Sequence, residues 1–425
     1  MEISIIGAGY VGLVSGVCFA DFGYRVNIID KNSEKIASLK KGKVPIFEEG
    51  LEGLLAKNKD NINFSTKMAD IKNSSVVFIS VGTPENPKTG EANLSYLFAL
   101  PKEIAPFLKE NAIIAIKSTV PPKTNEEFYK RVLGYTNKKF SQASNPEFLR
   151  EGTGVKDFMN PDRVLVGASE EETILVLKKL YEPIIKNGAK FIATDIISAE
   201  LAKYAANSFL ATKVAFINEI AGIAKRLGAN INDVSKIIGL DKRIGEKFLQ
   251  AGPGFGGSCF PKDILALEHL FKKNRLKNNI TGAVIKANRD RKEYIANQVK
   301  EILDGKLRGK KIATLGLAFK AGTDDIRSSP AIEIIELLLK KGAKIKAHDY
   351  KAIENAKEYF KNKIEFSNKP EGVIVGADLI LILTEWPDYK NLNYAKYLRE
   401  NEKLKIFDAR NLLKDAIKSE RYFGL

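Results

Sequence analysis

The first thirty residues limit the possible folds of this chain more than any other stretch. EISIIGAGYVG runs an apolar strand into Gly7, Gly9 and Gly12 at the G-x-G-x-x-G spacing and opens a helix; a second strand, YRVNIID, then ends in Asp30. Strand, glycine turn, helix and strand in that order begin a parallel, doubly wound sheet that binds a dinucleotide. Gly7 makes the tight turn, Gly9 leaves room for a pyrophosphate, and Gly12 lets the helix pack closely with its N-terminus toward the phosphates. The spacing alone is a weak signal, and its context gives it weight. Asp30 stands where a carboxylate accepts a hydrogen bond from a ribose 2′-hydroxyl, which predicts NAD over NADP. Lys31 and Lys35 nearby attract a 2′-phosphate and soften that preference. Cys18, on an apolar face of the first helix, reads as core.

The alternation continues through SSVVFISVGTP, a helix around 93–109, and AIIAIKSTVPP. Thr83 and Thr119 end these strands, where open sheets of this kind bind ligands. Each hydroxyl is a candidate for cofactor or an ordered water, and each reads equally well as a turn cap. SNPEFLREGTG, with Glu147, Arg150 and Glu151, is either a plain charged loop or a substrate loop at the sheet edge. Residues 198–228 have no breaker and predict one long helix with a serine cap, joining two domains and packing against a partner subunit. Lys203 and Asn207 are four apart and share a face of that helix. The pair is either solvated or aimed at one spot as an oxyanion site.

The chain then reads as helical to about residue 304, and the opening pattern returns. KKIATLGLAFK, AIEIIELLLKKG, AKIKAHDY ending in Asp349, VGADLILILTEWPDY and LKIFDARN repeat the first unit. After Gly316 come Ala318, Phe319 and Lys320 where further glycines would be needed. The repeat therefore predicts a different phosphate-bearing ligand, held by Lys320 and Arg327. The expected architecture is α/β, two doubly wound, Rossmann-like parallel-sheet domains joined by a long central helix. The expected domains are 1–195, binding the dinucleotide; 196–300, helical; and 301–425, binding the second ligand.

Between the two repeats lies GPGFGGSCFPKD, residues 252–263. Pro261, Lys262 and Asp263 read as the first turn of a helix, which puts Cys259 at its N-terminal end. There the helix dipole and Lys262 favour the thiolate, the form that attacks a carbonyl carbon. A buried, inert cysteine is the alternative, but it would not need the surrounding glycines.

Composition narrows the function classes. Two cysteines in 425 residues argue against a disulfide framework and for a reducing compartment, the cytoplasm. The N-terminus reads as neither signal peptide nor membrane span. The net charge of +16 is spread along the chain with no nucleic-acid reading motif, so small anionic ligands are expected and nucleic acid is not. His269 and His348, the two histidines, stand in no ligand-spaced cluster, and no metal is expected.

GAGYVG, NPEFLREG, the long helix with KYAAN, RIGEKFLQAGPGFGGSCFPKD and FKAGTDDIRSSP together resemble the UDP-glucose/GDP-mannose dehydrogenase family over the whole length. That resemblance implies oxidation of a nucleotide sugar's C6 alcohol to a carboxylate by two NAD, through a covalent thiohemiacetal and thioester on a cysteine. It implies Cys259 as nucleophile, Lys203 and Asn207 as oxyanion partners, Asp263 working with a water held by Thr119, and Glu147 in thioester hydrolysis. Cofactor positions by the same likeness are Gly7, Gly9, Val11, Gly12, Asp30, Lys35, Thr83, Thr119, Glu151, Lys262 and Arg327. Substrate positions are the loop Glu147, Phe148, Leu149, Arg150 and Glu151, the helix pair Lys203 and Asn207, the run Phe248, Leu249, Gln250, Ala251 and Gly252, then Gly256 and Lys320. Arg243 resembles an arginine that reaches the substrate of a neighbouring subunit, which implies a homodimer. Phe260 and Lys262 in CFPKD are more similar to the UDP-glucose branch than to the GDP-mannose or UDP-N-acetylmannosamine branches. A silent NAD and nucleotide-sugar sensor is the reading from another class, and the intact Cys259, Lys203, Asn207 and Asp263 oppose it.

Overall fold

The structure is a computed structural model that describes residues 1–425 except 87, 88 and 415. The chain divides into two compact units, Met1–Ala206 and Asn207–Leu425.

In the first unit the strands are β1 (Glu2–Ile6), β2 (Arg25–Ile29), β3 (Ile62–Ser65), β4 (Val76–Ile79), β5 (Ala112–Ile116), β6 (Phe140–Ser144), β7 (Arg163–Gly167) and β8 (Lys190–Thr194). They form one sheet in the order β3-β2-β1-β4-β5-β6-β7-β8. Pairing is parallel except between β6 and β7, which meet antiparallel at Ser144 and Gly167. Both faces of β4 and β5 are covered, which is why these strands read as unbroken apolar runs. In β4, Phe78 joins Leu13, Phe19 and Phe158 on one side, while Val77 and Ile79 join Leu97, Ile114 and Phe128 on the other. Cys18 is fully buried in the first of these cores, and burial pushes its thiol far above the ordinary range, so it stays neutral and inert.

The second unit holds β9 (Lys311–Leu315), β10 (Lys344–His348), β11 (Glu365–Phe366), β12 (Leu379–Ile382), β13 (Lys405–Asp408) and β14 (Tyr422–Phe423). Their order, β11-β10-β9-β12-β13-β14, reproduces that of β3 to β6 around β1. The repeat extends to single bonds. Gly7 and Gly316 have φ of 103° and 102°, and their N–H groups donate to Ile29 O and His348 O at 2.7 and 2.8 Å. Asp30 Oδ2 accepts Ala8 N–H at 2.9 Å, and Asp349 Oδ2 accepts Leu317 N–H at 2.7 Å. The copies then diverge. Asp349 is buried, and the same oxygen also takes Trp386 Nε1–H at 3.1 Å.

The long helix spans Ile196–Leu227, 32 residues or about 48 Å. It starts two residues earlier than its serine suggested. Asp195 is the cap, its Oδ1 accepting Ser198 N–H at 2.8 Å, and a carboxylate suits the positive end of a helix better than a hydroxyl. Helices Ile231–Gly239, Phe260–Lys273 and Ile280–Ile302 follow. No described helix is long and apolar enough to cross a membrane. His348 is a core residue, with Nδ1 3.0 Å from Tyr389 Oη, and the described residues hold no group of three metal-ligating side chains.

Candidate active site

The sequence-derived residues are divided between the two units. In the first unit, Gly7 sits at positive φ, and a Cβ there would stand 2.5 Å from Ser80 O, so the protein itself demands glycine. Gly9 differs, because a Cβ there would meet no atom within 4 Å. Glycine at position 9 keeps open a space at the N-terminus of helix Tyr10–Asp21, where backbone N–H groups and the helix dipole favour a phosphate. The turn therefore fits a dinucleotide.

Asp30 receives Ala8 N–H on Oδ2 and Asn32 N–H on Oδ1, both at 2.9 Å, and pairs with Lys35 Nζ at 3.1 Å. Burial pushes its carboxyl up, but the two backbone donors and Lys35 outweigh burial and hold it below the usual range. Lys35 is thus engaged by Asp30 and does not stand free for a 2′-phosphate. The Thr83 hydroxyl donates to Thr119 O at 2.8 Å, tying the loops after β4 and β5 together.

The loop 145–153 leaves β6, which lies inside the sheet between β5 and β7. Glu147 is buried, with Oε1 3.4 Å from Lys203 Nζ and Oε2 accepting Leu149 N–H. Lys203 Nζ also lies 5.0 Å from the centre of the Phe148 ring, whose other neighbour is Arg163 at 3.7 Å. A buried cation between a carboxylate and an aromatic face is not a solvated helix residue, which removes the bland reading of Lys203. The Arg150 guanidinium is bound by Asp157 at 2.6 and 2.9 Å and braces the loop.

In the second unit, Cys259 is the N-cap of helix Phe260–Lys273, with Pro261 in the first turn, and is half-buried. Its Sγ lies 3.6 Å from Ser258 Oγ. Asp263, one turn on, is buried with both oxygens used: Oδ2 accepts Asn207 Nδ2–H at 2.5 Å, and Oδ1 pairs with Lys262. Lys262 is therefore turned toward Asp263.

The glycines of the loop have a different cause from the one the sequence suggested. A Cβ on Gly256 would stand 2.2 Å from Ser328 O, and one on Gly257, at φ +82°, 2.9 Å from the Phe319 ring. They dock the loop onto the segment after β9, so they do not by themselves argue for a ligand or against an inert cysteine. What marks Cys259 is its half-exposed place at a helix N-terminus. Phe248 is held at φ +66°, an outlier for a bulky residue, with its ring 5.9 Å from Phe260. Arg243 is exposed and pairs with Asp241 at 2.6 Å. Arg327 pairs with Asp325 at 2.7 Å, and Lys320 Nζ lies 5.7 Å from the Phe319 ring centre.

Two features escaped the sequence reading. Lys117, just past β5, is 3% exposed, and its Nζ donates to Asn145 Oδ1 and Tyr181 Oη, each at 3.0 Å. It directly follows the five buried residues of β5, and only that structural burial sets it apart from other lysines. Tyr10 Oη donates to Glu48 Oε2 at 2.7 Å and to Arg150 O at 2.8 Å, and Glu48 accepts Gly152 N–H at 2.8 Å. This latch joins the glycine turn to the 145–153 loop through partners 38 to 140 residues apart, so no local pattern announces it.

Three domains of one family match in order. The NAD binding domain of the UDP-glucose/GDP-mannose dehydrogenase family matches residues 1–185, its central domain 197–290, and its UDP binding domain 313–415. A UDP-glucose 6-dehydrogenase of Rickettsia bellii is 45% identical over 421 residues, 97% of this chain and 96% of the relative. A UDP-glucose dehydrogenase structure from the archaeon Pyrobaculum islandicum is 37% identical, with a TM-score of 0.94 over 100% of this chain and 97% of that one. A UDP-D-ManNAc dehydrogenase structure from Pyrococcus horikoshii is 26% identical, with a TM-score of 0.89, over 100% and 99%. The order of strands, the glycine turn with its aspartate, and the half-exposed cysteine at a helix N-terminus thus coincide with full-length likeness, and the chain belongs to the UDP-glucose/GDP-mannose dehydrogenase family.

Proposed function

We propose that this chain is a UDP-glucose 6-dehydrogenase, converting UDP-glucose to UDP-glucuronate in two oxidations. NAD, when bound, accepts the hydride in each. The observation that carries the proposal is Cys259 at the start of the helix that also presents Asp263, whose carboxylate is bound to Asn207. The full-length identity to UDP-glucose 6-dehydrogenases, higher than that to the UDP-D-ManNAc dehydrogenase, supports UDP-glucose over the related sugars.

An aldehyde released between the oxidations would escape or stall as a hydrate. The Cys259 thiolate prevents this by adding to C6 to give a thiohemiacetal, whose carbon again yields hydride and becomes a thioester. Lys203 and Asn207, one helical turn apart, are assigned to the developing oxyanion. Asp263, with a water held at Thr119, takes the alcohol proton, and Glu147 takes the proton of the water that cleaves the thioester. No histidine occurs in the sequence between Lys203 and Asp263, so base work falls to carboxylates and lysine.

Gly7, Gly9, Val11, Gly12, Asp30 and Lys35 are assigned to the cofactor, with Thr83, Thr119, Glu151, Lys262 and Arg327. Residues 147–151 and 248–252, Gly256 and Lys320 are assigned to the nucleotide sugar. Domains 1–195, 196–300 and 301–425 divide these tasks. The long helix exposes Leu201, Phe209, Phe216, Ile223 and Leu227, the most open being 65% and 76% exposed. Their spacing of eight, seven, seven and four places an apolar stripe along one side, which supports a homodimer in which Arg243 serves the neighbouring substrate. Two cysteines outside disulfides suit the cytoplasm.

NADH formation measured with UDP-glucose, GDP-mannose and UDP-N-acetylmannosamine tests the proposal. UDP-glucose should give two NADH per sugar and the others little. Cys259→Ser should stall as an oxygen ester, visible as a uronyl-nucleotide mass on the intact protein. Two NADH per sugar from the serine variant at an undiminished rate would remove Cys259 as nucleophile.

A further inference from the structure

Lys117 is a buried cation that the assigned reaction does not use. Its ammonium is held by neutral acceptors, Asn145 Oδ1 and Tyr181 Oη at 3.0 Å and Asn145 O at 3.5 Å. The Phe78 and Tyr181 rings close over it at 5.6 and 5.7 Å. Tyr181 Oη in turn donates to Asn145 Oδ1 at 2.6 Å, and Asn145 Nδ2 donates to Leu165 O at 2.8 Å. Asn145 is thus fixed from three sides, two residues before Glu147.

The charged groups that act on Lys117 are Glu147, which favours its charge, and Lys203, which opposes it. Tyr181 is a titratable neighbour, but burial pushes its phenol far above the ordinary range and it stays neutral. Lys117, Glu147 and Lys203 therefore make a buried set of two cations and one anion. An isolated buried lysine would be better replaced by an apolar residue unless its charge or its bonds served something.

We propose that Lys117 is a positioning residue for thioester hydrolysis, anchoring through Asn145 the turn that carries Glu147 and holding that carboxylate in place beside Lys203. The proposal rests on the roles given above to Cys259, Glu147 and Lys203. In the step concerned, water adds to the thioester carbonyl carbon and Glu147 receives one of the water's protons. The C–S bond then breaks, Cys259 leaves as thiolate, and the uronic acid gives its remaining proton to solvent as it is released as the carboxylate. Glu147 does this only when ionised and only when its carboxylate is held in place. Burial brings Lys117 down to about 8, so it still carries charge at neutral pH.

The unmodified protein is measured first. Failure to give two NADH per UDP-glucose would overturn the functional reading and this proposal with it. Lys117→Met keeps an unbranched side chain one atom shorter and removes its charge and its hydrogen bonds. The first hydride transfer, read as the NADH burst, should stay within threefold of the unmodified protein. Steady-state turnover should fall about tenfold and a thioester mass should build up on the intact protein. A folded Lys117→Met in which both half-reactions change in parallel, or neither changes, would overturn the proposal. If that variant does not fold, Tyr181→Phe decides, since it removes one acceptor and leaves the charges of Lys117, Glu147 and Lys203. Hydrolysis slowed at least threefold with the burst unchanged supports the anchor; equal or absent effects on both steps overturn it.

Discussion

Replacing Asp30 with alanine should do more to cofactor choice than remove a repulsion, because the structure shows Lys35 held by that carboxylate at 3.1 Å. A 2′-phosphate placed where the carboxylate now stands would carry nearly two negative charges. Two unit charges about 4 Å apart interact by about 4 kcal/mol at an effective dielectric of 20, and partial exposure with Lys35 alongside brings this to about 2 kcal/mol. Loss of Asp30 also releases the Lys35 ammonium, worth about 1 kcal/mol more to a phosphate at the surface. Together the ratio of kcat/KM for NAD to that for NADP should fall about 150-fold, since 1.4 kcal/mol is tenfold. Lys35→Ala alone should raise the ratio about fivefold. In the double variant the fall should be only about 30-fold, the product of the two single effects, because no cation is left to release. The assay is initial NADH or NADPH formation with UDP-glucose saturating, with the melting temperature checked because Asp30 also accepts Ala8 and Asn32 N–H groups. A ratio for Asp30→Ala within threefold of the unmodified protein would refute the assignment of Asp30. Equal ratios in Asp30→Ala and the double variant would refute the part given to Lys35.

Glu200 predicts a pH effect on stability. Burial lifts its carboxyl to about 7, against the Asn125 side chain and the Asn125 and Lys123 N–H groups that pull it down. The folded protein then keeps a proton that the unfolded chain loses near pH 4.5, so this group's contribution is full below about 4.5 and falls by about 3 kcal/mol as pH rises to 7. Urea unfolding of the unmodified protein and Glu200→Gln from pH 4 to 7.5 should show a stability difference that changes by that amount, and a constant difference would count against it. Phe209→Asp combined with Phe216→Asp should halve the mass seen by light scattering while leaving far-ultraviolet circular dichroism intact; an unchanged dimer would place the subunit contact elsewhere.

The parts of the fold legible in the sequence were those with two covered faces. β4, β5 and β12 are unbroken apolar runs because helices pack on both sides. β6, FSQAS, and β8, with mostly exposed residues, carry no such run, and the sequence does not announce that the first sheet has eight strands. In the site, residues tied to backbone geometry were readable: Gly7 by its turn, Cys259 by the proline that starts its helix. Residues defined by long-range partners were not. Glu48 and Asn145 act through bonds that close only after folding, and Lys117 looks like any lysine until its strand is known to be buried. The glycines around Cys259 read in the sequence as a ligand cradle, but the backbone that approaches Gly256 belongs to Ser328 and the ring against Gly257 to Phe319.

The two copies of the strand and turn separate what a crossover needs from what a guest molecule needs. Gly7 and Gly316 share one φ and one hydrogen bond, so the first glycine of the signature reports mechanics alone. Occupancy is decided two residues later, where Gly9 leaves a vacancy and Ala318 is buried. In the second copy the Trp386 indole donates to Asp349, as a ribose hydroxyl would donate to Asp30. The second turn thus carries a permanent tenant drawn from its own chain, and its aspartate has become part of the masonry.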